Sequence, residues 1–219
     1  MTNGIVIFIL WLLSGCAVAQ VGLCEDPKTQ RIEWPRPLGL FVEMTACRVG
    51  EVQFQVTIRL LSNGHLVEIK RIDAEGNAFV PFADLALDID DDGVADLGVA
   101  TGKGRSGDGM HYWLLKDRPL RLIDVGEAPM LSRSSSKPYT LWALVPGSGE
   151  IQATRLDYAF KAGRLMQVRS IQLSPLPDGV YRASIVKIPE NKNVVMGTEV
   201  VYLMSKQNAQ SCMDGGPCD

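Results

Sequence analysis

Five aspartates fall within nine positions of the segment "DIDDDGVAD", and their spacing is that of a cation-binding turn. The pattern DxDxDGxxD directs alternate carboxylates toward one centre, and the glycine at its sixth position permits the twist that wraps the loop. Hard oxygen ligands of this kind suit Ca²⁺, with a backbone carbonyl at the seventh position as a further ligand. The predicted calcium ligands are Asp88, Asp90, Asp92, Asp96 and the carbonyl of Val94.

The alternative is an acidic turn that lies in solvent and binds no metal. Against it, four or five carboxylates held close together repel one another unless a cation compensates them. The twelfth position is Val99, so the bidentate glutamate of an EF-hand is missing, and the flanking residues are typical of strands. The sequence therefore predicts a structural calcium site in a β-hairpin turn, with Asp91 facing solvent.

A glycine-rich run, "GKGRSGDGM", follows the acidic turn. We interpret residues 102–110 as a hairpin loop that is fixed at its base by the acidic turn and presented to a partner, since binding residues concentrate on loops held by a rigid scaffold. The alternative is a connection that has no partner. The predicted partner-binding residues are Lys103, Arg105, Ser106, Gly107, His111 and Tyr112.

Two enzymatic interpretations of this region fail on sequence context. Gly102, Gly104 and Gly107 form a GxGxxG pattern, but a strand-like "MHYWLL" follows it where a dinucleotide site requires a helix. Ser106 and Ser148 lie in "GRSGD" and "PGSGE", and neither matches the GxSxG pattern of a serine hydrolase. We therefore expect no catalytic activity.

The elements that must position these residues are strands. "EVQFQVTIRLL" places Val52, Phe54, Val56 and Ile58 on one face, which is the period-two pattern of a half-buried strand. Asn63-Gly64 then predicts a two-residue hairpin turn into "HLVEIKRI". Similar pairs recur downstream, and no long helical period is present. We expect one all-β domain at residues 38–205, an antiparallel sandwich or propeller-like fold built of hairpins with little helix.

The ends of the chain indicate export. The first nineteen residues carry no charged side chain, and the apolar stretch at residues 5–13 has the length of a signal-peptide core. Two processing sites overlap: "AVA" permits cleavage after Ala19, and "LSGC" at residues 13–16 resembles a lipobox that would lipidate Cys16. We favour the lipobox, with a tether at residues 20–37 and a cysteine-containing tail at residues 206–219. The protein is then expected in the periplasm or at the outer membrane, held by a lipid anchor.

Charge and cysteine content fit this location. A formal net charge of −3 and an isoelectric point near 5.5 argue against a nucleic-acid-binding surface. Cys24, Cys47, Cys212 and Cys218 remain after processing, and four cysteines in an oxidising compartment predict two disulfides. The simplest pairing is Cys24–Cys47 with Cys212–Cys218, and cross-linking of the two termini is the alternative.

Two resemblances cover residues 50–175. "LALDIDDDGVADLGVA" resembles the FG-GAP/VCBS type of calcium-binding β-hairpin repeat. The wider layout is similar to bacterial periplasmic lysozyme inhibitors and secretion-system immunity lipoproteins. That layout is a lipobox, a single "DxxxDGxxDL", a glycine-rich loop, an aromatic strand and the pattern Tyr158-x-Phe160-x-x-Gly163-x-Leu165.

The second resemblance implies a binding mode. In such inhibitors a protruding loop bearing Ser, Gly and Tyr enters the cleft of a peptidoglycan-cleaving enzyme, and Ser106, Gly107 and Tyr112 occupy the matching positions here. The family spacing is SGxxY, whereas Tyr112 comes two residues later. We therefore expect a non-enzymatic inhibitor of a lysozyme-like hydrolase. The alternative is a calcium-binding structural or adhesion module of the cell envelope.

Overall fold

Alternating apolar and polar residues fold into hairpins that build three antiparallel sheets. A computed structural model describes residues 24–35, 39–104, 108–134, 141–149, 151, 153–189 and 199–218. Sheet 1 contains β1 (Glu25–Glu33), β2 (Leu40–Arg48), β3 (Gln53–Ser62) and β4 (His65–Glu75), paired in that order. Sheet 2 contains β5 (Ala83–Asp84), β6 (Leu97–Ala100), β7 (Gly109–Asp117) and β8 (Leu120–Pro129), also in chain order.

Sheet 3 has six strands, and its spatial order is β14, β13, β12, β11, β10, β9. These are β9 (Ser132–Arg133), β10 (Leu141–Pro146), β11 (Ala153–Lys161), β12 (Arg164–Pro175), β13 (Val180–Lys187) and β14 (Glu199–Ser205). A short helix, α1 (Lys206–Met213), follows β14. Strands that are neighbours in the chain are thus neighbours in the sheets, and the prediction of an all-β fold built of hairpins is confirmed.

The β3–β4 hairpin illustrates how well local sequence specifies these pairs. Asn63 and Gly64 both adopt positive φ, 49° and 82°, which is the geometry of a type I′ turn. Phe54, Val56 and Ile58 are buried as the alternation predicts. Val52 precedes β3 and is 43% exposed. The buried row therefore begins at Phe54, one alternation later than predicted.

The three sheets stack with sheet 2 in the middle. Strand β7 is apolar on both faces, since Trp113 and Leu115 join the core between sheets 1 and 2 whereas Tyr112 and Leu114 join the core between sheets 2 and 3. A third core lies between sheet 3 and helix α1. This central position of sheet 2 holds both ends of β6 firmly, and β6 connects the acidic turn to the glycine-rich run.

The N-terminal boundary of the domain differs from the prediction. Residues Glu25–Glu33 form strand β1, which pairs with β2, so the proposed irregular tether at residues 20–37 is wrong for this segment. Trp34 is 1% exposed, and its indole Nε1 donates a hydrogen bond to the carbonyl of Ala95, 2.8 Å away. Residues 1–23, including the signal segment and Cys16, lie outside the described residues.

The C-terminal segment, predicted only as a cysteine-containing tail, contains a helix. Helix α1 begins after Ser205, whose hydroxyl accepts the N–H of Asn208 at 3.2 Å. The disulfides are Cys24–Cys47 and Cys212–Cys218, which confirms the simplest pairing. Two disulfides are typical of an exported protein. Among the described residues, no helix has the length and apolar character needed to cross a membrane.

A buried arginine ties the C-terminal disulfide loop to sheet 3. Arg155 is 2% exposed, and its Nη1 donates to the carbonyls of Cys212 at 2.5 Å and Gly216 at 2.7 Å. Its Nε donates to Asp157 Oδ1 at 2.7 Å, and the other oxygen of Asp157 accepts from Arg169 at 2.6 Å. The cysteines are therefore not the only contacts that order the tail.

Candidate functional site

The buried carboxylate of Asp96 fixes the acidic turn to the central strand β7. Asp96 is 1% exposed; its Oδ2 accepts the N–H of Ile89 at 2.7 Å and its Oδ1 accepts the N–H of Leu115 at 2.9 Å. Burial raises the pKa of Asp96 to about 7, with the carboxylates of Asp90 and Asp92 adding to the rise and the two backbone N–H groups opposing it. The turn thus contains a carboxylate that is poorly solvated and would gain from a nearby cation.

The other aspartates of the turn organise its backbone. Asp88 accepts the N–H of Asp92 at 3.1 Å with one oxygen and the N–H of Gly93 at 2.9 Å with the other. Asp92 Oδ1 accepts the N–H of Val94 at 2.9 Å. Gly93 has a φ of 84°, the left-handed conformation for which glycine was expected at this position. Asp91 is 62% exposed, as its outward position in the pattern predicted.

Three of the predicted calcium ligands come together. One carboxylate oxygen from each of Asp88, Asp90 and Asp96 lies within 4.8 Å of the others. Asp92 is not part of this group, and its Oδ2 bonds to Lys116. The side chain of Val94 packs against the core between sheets 1 and 2. Of the four predicted carboxylate ligands, three therefore form the cluster.

Two cationic side chains from later strands neutralise much of the turn. Lys116 Nζ lies 2.5 Å from Asp90 Oδ2 and also bonds to Asp92. Arg133 donates to the carbonyl of Asp88 at 3.3 Å and pairs with the carboxylate of Asp91. Sequence reasoning missed both residues, because they come 24 to 45 positions after the aspartates that they contact and only the tertiary structure brings them near.

The Lys116 contact shifts both partners toward their charged forms. Partial burial would raise the pKa of Asp92, but the hydrogen bonds from Lys116 and from the N–H of Val94 bring it below its usual value. Partial burial would lower the pKa of Lys116, but its bonds to Asp90 and Asp92 raise it. Asp90 Oδ1 remains buried with no hydrogen-bond partner among the described residues. This oxygen of Asp90 is therefore available to bind a cation in the turn.

The glycine-rich loop lies at the opposite end of β6 from the acidic turn. The chain enters β6 from the turn at Leu97, which pairs with Trp113, and leaves it for the loop after Ala100, which pairs with Met110. The two features are thus separated by the length of a four-residue strand, about 13 Å. The expectation that the acidic turn fixes the base of the loop is wrong.

Backbone hydrogen bonds from the ends of β4 and β8, together with bonds within the loop, fix the loop base instead. The N–H of Glu75 donates to the carbonyl of Thr101 at 2.7 Å, and the N–H of Met130 donates to the carbonyl of Asp108 at 2.9 Å. Within the loop, the N–H of Thr101 donates to the carbonyl of Gly109 at 2.8 Å, and the N–H of Gly109 donates to the carbonyl of Lys103 at 2.9 Å. These bonds join the loop to the ends of β4 and β8.

Glycine is required at position 102 for steric reasons. Its φ is 65°, and a Cβ at this position would lie 1.9 Å from the carbonyl oxygen of Glu75. The close approach of the two backbones is what allows the loop base to rest on the end of β4. Gly102 is therefore required by the packing of the loop base against β4.

The predicted partner-binding residues have different surroundings. Lys103 Nζ pairs with Glu127 Oε1 at 3.0 Å, and both side chains are well exposed. The ring of His111 stacks on Trp113 with 4.2 Å between centroids, while its Nε2 lies 2.9 Å from Asp124 Oδ2. The remaining loop residues, Arg105, Ser106 and Gly107, lie outside the described residues.

Tyr112 is a core residue, and its predicted role in partner binding is wrong. It is 1% exposed; its hydroxyl accepts the N–H of Leu131 at 2.8 Å and donates to the carbonyl of Pro129 at 3.3 Å. Because strand β7 is buried on both faces, Tyr112 and Trp113 both lie in the interior although they point in opposite directions. Burial raises the pKa of Tyr112, which disfavours its ionised form in the folded state.

Comparison with known proteins gives little beyond these observations. No protein-family model matches the chain, and no curated protein matches it significantly. Among solved structures, the chain is similar to the structure of a Xanthomonas type IV secretion system related protein. That similarity has a TM-score of 0.45 and 15% sequence identity, and it covers 80% of this chain and 99% of that chain.

Proposed function

We propose that the chain is an exported, non-enzymatic binding protein that inhibits a lysozyme-like peptidoglycan hydrolase through the loop at residues 102–110. The observation that carries the proposal is the fixed base of the loop, where backbone hydrogen bonds reach it from Glu75 and Met130. A loop whose base is ordered before binding loses less conformational entropy when it enters a cleft. The residues at the tip of the loop can then contribute to affinity through their contacts with the partner.

The chemistry of the loop suits a cleft that contains carboxyl groups. A glycoside hydrolase presents a pair of them on either side of the scissile bond. Among the described residues, the Lys103 ammonium pairs only with Glu127. Exposed pairs of this kind contribute about 0–1 kcal/mol, so the ammonium can exchange to a carboxylate of the partner. Arg105 and Ser106 supply further donors from the sequence of the tip.

The proposal assigns no catalysis to the chain. His111 is the histidine nearest the loop, and it faces the carboxylates of Asp124 and Glu127. Among the described residues, no hydroxyl or thiol forms a hydrogen bond with this ring. His111 therefore links β7 to two carboxylates of β8 beside the loop.

The test is the clearing of a peptidoglycan suspension by a panel of lysozyme-type hydrolases, with and without the purified mature chain. We expect wild-type protein to stop clearing by one hydrolase class, and Lys103→Ala and Ser106→Ala to weaken that inhibition. Lys187→Ala is the matched control, because Lys187 is an exposed lysine on β13 of sheet 3. Unchanged clearing across the panel by wild-type protein would reject the proposal.

The proposed setting is the bacterial cell envelope, with a lipid anchor at Cys16. The lipobox at residues 13–16 supports this placement, and ordinary cleavage after Ala19 is the competing outcome. Mass spectrometry of the mature protein separates the two, since a lipidated N-terminal cysteine and an unmodified Gln20 differ in mass and in sequence.

A second candidate is a calcium-dependent structural module, favoured by the buried, unpartnered Asp90 Oδ1. The residues fit a hard divalent cation, because Asp88, Asp90 and Asp96 bring three oxygens together and Asp96 is poorly solvated. Such a cation would compete with the ammonium of Lys116, which already bonds to Asp90. Calorimetric titration with Ca²⁺ tests the site: wild-type protein should bind one equivalent and Asp90→Asn should not, whereas no heat from wild-type protein would exclude it.

A further inference from the structure

A recessed groove begins at the glycine-rich loop, where Pro129, Pro146 and Ile151 line it, and becomes more polar as it continues across sheet 3. Its first part has a volume of about 350 Å³ between the loop and the β10–β11 turn, where Gly104 and Asp108 face Pro146 and Ser148. Its second part, about 380 Å³, shares Ser148, Ile151 and Gln172 with the first. The two parts therefore form one continuous groove.

The floor of the groove is a row of residues on adjacent strands. Val145 pairs with Thr154, Thr154 with Gln172, and Gln172 with Ser184, so the row crosses β10, β11, β12 and β13. Four strands at the usual spacing make this row about 14 Å long. Ser174, Arg182 and Glu199 line its far part.

The described residues leave this part of sheet 3 open to solvent. On the same face, Leu156 and Tyr158 are apolar where they pack in the core between sheets 2 and 3. Beyond the end of sheet 2 the same face changes to Thr154 and Gln172, which are polar. The groove is thus a surface that water or a partner can reach, and it does not result from imperfect packing of the core.

We propose that this groove is the second half of the partner-binding surface and that it takes a polar surface loop of the same hydrolase. The inference rests on the proposed function of the loop. It follows from continuity: Gly104 and Asp108 belong both to the loop and to the wall of the groove, so a protein that covers the loop also meets the groove.

The chemistry of the groove suits a polypeptide. The amide of Gln172 both donates and accepts, and the hydroxyls of Thr154 and Ser174 do the same, which matches the alternating N–H and C=O groups of an extended backbone. A span of about 14 Å accommodates roughly four extended residues. The lining residues of the described chain include no aromatic ring on which a sugar could stack, which favours a protein over a glycan strand.

The experiment measures the inhibition constant against the hydrolase identified by the clearing assay. Gln172→Trp fills the groove and should weaken inhibition by about tenfold or more, the effect expected when a central contact is blocked. Gln55→Trp is the matched control, because Gln55 is an exposed glutamine on a strand of sheet 1. Gln172→Ala and Ser184→Ala should weaken inhibition less, through the loss of hydrogen bonds without steric change.

The outcomes separate this inference from the proposal on which it rests. If Ser106→Ala abolishes inhibition while Gln172→Trp behaves like wild type, the groove inference is overturned and the loop proposal stands. If a tetramer of N-acetylglucosamine binds wild-type protein and Gln172→Trp prevents this, the groove is a glycan site and the inference is again overturned. If wild-type protein inhibits no hydrolase, both are rejected.

Discussion

The ammonium of Lys116 on β7 lies 2.5 Å from the carboxylate of Asp90 and also bonds to Asp92, so a side chain of the protein stands within the predicted calcium turn. Together with Arg133, it brings two positive charges to a turn of five aspartates. Repulsion among the aspartates is therefore no longer sufficient evidence for a metal. A metal is still favoured by Asp90 Oδ1, which has no hydrogen-bond partner among the described residues, and by the raised pKa of Asp96.

This relationship predicts that Lys116 and calcium compete. Lys116→Met removes the internal cation, so the variant should unfold at a lower temperature than wild type in chelator and should recover with Ca²⁺. Wild-type protein should respond less to calcium than the variant does. Thermal unfolding followed by circular dichroism measures both, with Lys187→Met as the control. A variant whose melting temperature is the same with calcium and with chelator would show that the turn does not bind the ion.

The two hydrogen bonds of Asp96 predict a large cost for a small change. Asp96→Asn replaces one accepting oxygen by a donating NH₂ group, which leaves the N–H of Ile89 or Leu115 unpaired in the interior. An unsatisfied buried donor costs about 1–3 kcal/mol of unfolding free energy. Urea unfolding should show this loss, whereas Asp91→Asn, at a mostly exposed position, should change stability little. Equal effects of the two changes would contradict the anchoring role of Asp96.

The burial of Tyr112 predicts a structural defect. Tyr112→Phe leaves the N–H of Leu131 without its acceptor and should cost about 1–3 kcal/mol. Tyr112→Ala also opens a cavity and should cost about 3–5 kcal/mol. Chemical unfolding measures both losses of unfolding free energy. A Tyr112→Ala variant as stable as wild type would mean that the side chain does not occupy the core.

The same residue predicts a dependence on alkaline pH. Since the pKa of Tyr112 is raised in the folded state, its contribution to stability is present below the unfolded value of about 10 and is lost as the pH rises above it. The decline in unfolding free energy above pH 10 should therefore be shallower in Tyr112→Phe than in wild type. Tyr158, whose pKa is also raised, is unchanged in both proteins and contributes equally. Parallel curves would contradict the assignment.

The contact beneath the loop predicts that Gly102→Ala is worse than an ordinary glycine replacement. Gly102 and Gly64 both have positive φ, but a Cβ at Gly102 would clash with the carbonyl of Glu75, whereas at Gly64 it would meet nothing within 4 Å. Gly102→Ala should therefore lower both the melting temperature and hydrolase inhibition more than Gly64→Ala. If both variants lost the same amount of melting temperature and of inhibition, the close contact beneath the loop base would be contradicted.

Local sequence was sufficient for most of the fold. The alternation along β3 and the Asn63-Gly64 turn predict that hairpin, because both signals act between residues that are neighbours in the chain. They do not predict the register shift between Leu60 and Leu61. The Asp88 and Gly93 positions of the acidic turn were likewise predictable, since the turn is closed by hydrogen bonds within itself. The disulfide Cys24–Cys47 was the simplest pairing that the cysteine count allowed, and the structure selects it over cross-linking of the termini.

The sequence by itself determined an all-β chain of hairpins, an acidic turn and a glycine-rich loop. Only the tertiary structure decided that Lys116 neutralises the turn, that Tyr112 is interior, and that turn and loop lie at opposite ends of β6. The physical reason is that hairpin and turn signals are local, whereas burial and ion pairing depend on how sheets stack. Strand β7 is buried on both faces because sheets cover it from either side, and no period within its nine residues specifies that.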